Sequence, residues 1–67
     1  MLTDSDIKRI KLELKECEKG YSSDTRSSFR YLIKIASGEL GGHLGEVTCQ
    51  TCRKFVLGWI KKELKKY

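Results

Sequence analysis

The sequence predicts a mainly α-helical single domain of three helices, residues 1–67, stabilised by structural zinc, and three observations predict it. Apolar residues recur at spacings of three and four along three separate stretches, the period of a helix with one buried face. Glycines and short polar runs part those stretches, and no proline interrupts them. One histidine and three cysteines complete the picture, the donor set of a closed Cys3His zinc site.

Size explains why a metal is expected. A chain of 67 residues buries only roughly 60% of the surface its unfolded form exposes. Burial then barely offsets the entropy of ordering, so small scaffolds usually carry a staple. Structural zinc contributes about 10–16 kcal/mol in small finger peptides. A disulfide framework is the rival, but three cysteines are an odd count. No hydrophobic leader precedes the first helix, which points to the reducing cytosol and free thiols. No apolar run approaches the roughly 18 residues of a membrane span, so no membrane association is expected.

The first helix is capped by Thr3, with Asp6 at the third helical position as a weaker capping box and Leu2 as a staple onto Ile7. Its stripe runs Ile7, Ile10, Leu14, Cys17, Tyr21, and Gly20 is its stop. The second helix has Ser22, Ser23 and Asp24 as candidate caps and a stripe of Phe29, Leu32, Ile33, Ala36 and Leu40, ending near Gly38. Residues 38–48 hold four glycines and predict a loop that presents His43, with Val47 and Thr48 as a short extended piece. The third helix starts between Cys49 and Cys52, with Thr48 or Thr51 as cap, and runs to the end of the chain. Cys52, Val56, Trp59, Ile60, Leu64 and Tyr67 share one of its faces. Glu63 falls inside that apolar arc, and a lysine of the first helix is its expected partner.

Cys17, His43, Cys49 and Cys52 are the expected metal ligands, in the pattern C-x25-H-x5-C-x2-C. A Cys-x2-Cys turn lets two sulfurs reach one ion, and a helix amino terminus favours thiolate charge. Cys17 reaches the pair by packing of the first helix against the third. A set of three thiolates and one imidazole leaves no position for water, which argues against catalysis at the metal. Three other readings compete. The Cys-x2-Cys is a thioredoxin-like redox pair, although the βαβ context is missing. Alternatively, Cys17 is a small core residue and His43 a loop residue. In the third, residues 38–55 form a metal-free helix-turn-helix, with His43 on its first helix. The Cys-x2-Cys turn running straight into a helix resembles treble-clef and zinc-knuckle modules over residues 49–60, with Arg53 where the knuckle glycine usually stands. That resemblance implies a metal knuckle and carries no function.

Charge supplies the functional reading. Residues 1–52 hold eight basic and eight acidic residues, whereas residues 53–67 hold six basic residues against Glu63 alone. The whole formal excess of +5 therefore sits on the third helix. Lys54, Lys61 and Lys65 share the face opposite the apolar one, with Gly58 among them; Lys62 and Lys66 flank that row, and Arg53 widens it. This asymmetry predicts a nucleic-acid partner met through phosphates. The alternative is a protein-interaction module, a regulator or inhibitor that docks on a larger enzyme through Tyr31, Ile35 and Phe55. An enzyme is not expected: a single histidine and no paired carboxylates make no catalytic constellation, and no small-molecule substrate is implied.

Overall fold

A computed structural model describes residues 2–67. Three helices follow one another, α1 (Asp4–Cys17), α2 (Arg26–Leu40) and α3 (Gln50–Leu64), and the described residues form no strand. The expected extended piece at Val47 and Thr48 is a turn instead, because Cys49 N–H closes back onto the Glu46 carbonyl at 3.0 Å.

The start of α1 is written in its first residues. Asp6 N–H donates to Thr3 Oγ1 and Thr3 N–H donates to Asp6 Oδ2, each at 3.1 Å, so a reciprocal box forms with Asp in place of the longer acids. Ile7, Ile10 and Cys17 are buried along one side, while Tyr21 lies beyond the helix and is exposed.

The amino terminus of α2 departs from expectation. None of Ser22, Ser23 and Asp24 caps it; the cap position is Thr25, whose side chain makes no capping bond. Thr25 is buried and works inside the preceding turn. Its hydroxyl donates to the Gly20 carbonyl at 2.6 Å and accepts from Ser22 N–H at 3.0 Å. The helix also runs through Gly38 and stops at Gly41, which takes a left-handed φ of 75° that a residue with a Cβ would resist. Leu40 is accordingly exposed at the helix end.

α2 is the central helix. It packs against both α1 and α3, whereas α1 and α3 have only slight contact with each other. The expected direct packing of the first helix on the third is thus replaced by a shared partner. α2 supplies more buried apolar residues, Phe29, Leu32, Ile33 and Ala36, than either neighbour. Ile10 and Cys17 enter the core from α1, Val56 and Ile60 from α3, and Val47 from the loop between α2 and α3. α3 ends at Leu64 rather than at the chain terminus. Glu63 is half-buried and pairs with Lys66 of the same helix end at 3.0 Å, not with α1.

Candidate nucleic-acid interface and the turn before α3

The turn before α3 is built by its cysteines. Cys49, not a threonine, is the amino-terminal cap: its Sγ accepts from Cys52 N–H at 3.2 Å. Four residues of sequence turn back so that the Cys49 and Cys52 sulfurs come side by side at disulfide distance, with Cα atoms 5.2 Å apart. Gly45 lies directly against this pair. Its φ of 117° suits glycine only, and a Cβ there would overlap Cys52 Sγ.

The four expected metal ligands are placed as follows. Cys49 and Cys52 are side by side and half-buried. His43 is exposed on the loop, its Nε2 3.4 Å from the exposed Glu46 carboxylate. Cys17 is 3% exposed and lies in the hydrophobic core. Burial pushes its thiol up to about 11, and the carboxylates of Glu13 and Glu16 add to the effect. The fold thus keeps Cys17 neutral. Among the described residues no three of the histidine, cysteine and carboxylate side chains gather into a group able to hold a metal ion. In this arrangement the donors do not fit a closed tetrahedral site.

Loop geometry also bears on the helix-turn-helix alternative. Residues 41–49 separate α2 from α3, and His43 is on neither helix. That motif joins its helices by a turn of about three or four residues.

The basic residues divide into two groups. Lys54, Lys61, Lys62, Lys65 and Lys66 are all exposed, and of these five only Lys66 enters an ion pair with a described residue. Arg53 has a different place. Its Nη1 donates to the Val47 carbonyl at 2.7 Å, and its guanidinium stacks 3.9 Å from the centre of the Tyr21 ring. Tyr21 in turn meets Phe29 edge-on at 5.6 Å. One half-buried arginine thereby ties both connecting segments to the start of α3, and its donors are turned inward. No spacing rule could have found this, since the partners come from three separate elements.

The residues expected to serve protein docking also separate. Tyr31 and Ile35 line an open depression of about 700 Å³ between α1 and α2, with Leu2, Arg9 and Gly38. Arg9 sits 4.4 Å over the Tyr31 ring. Phe55 lines a second depression, on α3, with Lys54, Gly58, Trp59 and Lys62. No helix among the described residues is long and apolar enough to cross a membrane. No family model, curated protein or solved structure matches the chain.

Proposed function

We propose that the protein is a small helical module that binds nucleic acid through the basic face of α3. The observation that carries this reading is the concentration of charge. Three exposed lysines, Lys54, Lys61 and Lys62, lie on a helix whose opposite side, Val56 and Ile60, is buried, and Lys65 and Lys66 follow directly at its end, so folding does not require them. Such a row of cations releases counterions when it meets phosphates, and affinity then falls by roughly 0.9 log units per log unit of salt for each duplex phosphate contacted. The face bears no row of Asn, Gln or Arg to read base edges, so binding is weakly selective for sequence. The proposed role is one of binding rather than catalysis: the one histidine is exposed, 3.4 Å from Glu46, in an open depression beside Arg30, Lys34 and Ser37.

The test is a binding titration at two salt concentrations on the wild type and on Lys54→Glu/Lys61→Glu/Lys65→Glu. The triple variant should melt where the wild type does and lose affinity for DNA and RNA. A wild type without affinity for either at low salt would transfer the function to protein docking, for which the Tyr31–Ile35 depression between α1 and α2 is the favoured surface.

A second proposal concerns the cysteines. With the thiols reduced, as in the cytosol, Cys49 and Cys52 would form the nucleus of a structural zinc site, with His43 and Cys17 recruited to it. The close approach of the Gly45 backbone to Cys52 supports it, since that loop also carries His43. Against it stand the buried neutral thiol of Cys17 and the slightness of the contact between α1 and α3. Elemental analysis of protein purified under reductant decides the matter: one zinc per chain supports the site, and none removes it.

A further inference from the structure

We propose that the α3 surface takes single-stranded rather than duplex nucleic acid, with a base seated over Gly58 and stacked on Phe55 and Trp59; this rests on the reading of α3 as a nucleic-acid surface.

The lysines of α3 do not form a purely charged face. At about 100° per residue, Phe55 falls beside Lys62 around the helix, and Gly58 falls midway between Lys54 and Lys62. Phe55 is 54% exposed, a large apolar ring held among cations. Trp59 stands one helical turn further on, partly packed against the core and partly open to the same depression. Phe55, Gly58, Trp59 and Lys62 therefore run at spacings of three and four along one line, with Lys54 at its side. The depression they enclose measures about 380 Å³. Its floor is bare. A Cβ at Gly58 would meet no heavy atom within 4 Å, so neither packing nor backbone conformation requires glycine there.

Each of these features is unfavourable or idle for an isolated helix, and together they fit one class of ligand. A phosphate row alone would be served by lysines, with no use for aromatic rings between them. Phosphates alternate with flat, apolar-faced bases only in nucleic acid, and only an unpaired strand offers those faces to a side chain. Duplex DNA keeps its bases stacked inside, and Phe55 would meet only sugar and phosphate. A single strand lets lysines follow the backbone while a base leaves the stack to lie on Phe55 or Trp59. Bare backbone at Gly58 lets that base approach closely.

The experiment compares a short labelled oligothymidylate, the same strand annealed into a duplex, and a strand of equal length made of abasic sugar-phosphate. Trp59 is the only tryptophan, so its fluorescence reports the site directly. Oligothymidylate should quench Trp59 and bind more tightly than the duplex or the abasic strand. Phe55→Ala should weaken oligothymidylate binding roughly 5- to 150-fold, with the other two probes unchanged. Gly58→Leu, which fills the floor, should do the same while retaining the helical circular-dichroism spectrum. Equal affinity for all three probes, with no effect of either variant, overturns the single-strand assignment and leaves the lysine-face reading standing. Absence of binding to every probe at low salt overturns both. Should polyglutamate or phosphatidylserine vesicles bind as tightly as oligothymidylate, and lose affinity with Phe55→Ala, the occupant is an acidic protein or a membrane surface and the assignment fails.

Discussion

α2 and α3 have equal lengths of 15 residues, yet they divide their surfaces differently. α2 buries Ser28, Phe29, Leu32, Ile33 and Ala36; α3 buries only Val56 and Ile60. The first lies between two neighbours and gives a fully buried stripe to holding them. The second packs along one side, and its open side carries Lys54, Lys61 and Lys62 together with the exposed Phe55. In a three-helix domain the outer helix has surface to spare for a partner, while the central one is committed to the fold.

The comparison breaks most visibly at Leu32, which is fully buried. Leu32→Ala should cost about 2–5 kcal/mol, against a total that in domains of this size rarely exceeds about 3–5 kcal/mol. Urea titration followed by Trp59 fluorescence should find the variant largely unfolded. Phe55→Ala on α3 should unfold at nearly the wild-type midpoint. Comparable losses at the two sites would mean that α3 is as deeply engaged as α2.

Alkaline pH probes the α1 side of the core. The Cys17 thiol titrates near 11 in the folded state against an ordinary 9.0. Between those values the unfolded chain has released a proton that the folded chain still holds. The burial contribution is therefore full below the ordinary value and is lost as pH rises through the folded one, by up to about 3 kcal/mol. Denaturation midpoints of wild type and Cys17→Ala across this range should converge as pH rises. Parallel curves would mean that the thiol is already ionised in the fold.

A smaller effect separates two neighbours on α3. Arg53→Ala removes the bond to the Val47 carbonyl and the stack on Tyr21, and should cost about 1–2 kcal/mol. Arg53→Lys keeps the charge but not the planar stacking, and should recover only part of the loss. Lys54→Ala, one position later, should change the midpoint by less than about 0.5 kcal/mol. Thermal melts of the three variants order them, and an Arg53→Ala protein as stable as Lys54→Ala would return Arg53 to the basic surface.

Gly58→Ala has the opposite sign and a smaller size than Arg53→Ala. Helical glycine costs up to about 1 kcal/mol relative to alanine, and a Cβ there meets nothing. The variant should melt slightly higher than wild type. A lower melting temperature would mean that the Gly58 backbone is packed against something in solution.

Local chemistry made much of this molecule legible beforehand. Periodicity placed all three helices, since spacings of three and four are a property of one helix and need no knowledge of its neighbours. The Thr3–Asp6 box was readable because both partners lie within one turn. The lysine row on α3 was likewise visible, because a helix fixes which of its own residues share a side. What lay beyond reach depends on residues far apart in sequence. Thr25 serves the preceding turn through Gly20 and Ser22 rather than capping α2. Arg53 resembles the lysines that follow it in charge, and only the approach of Tyr21, Phe29 and Val47 turns it inward. Cys17 and Cys52 both fall on apolar stripes, which by sequence alone allowed α1 to meet α3 directly. Which of three amphipathic helices takes the middle is decided by how all three faces pack together across the two connections, which no single helix reveals. With α2 between them, Cys17 joins the core, and Cys49 and Cys52 are left to each other.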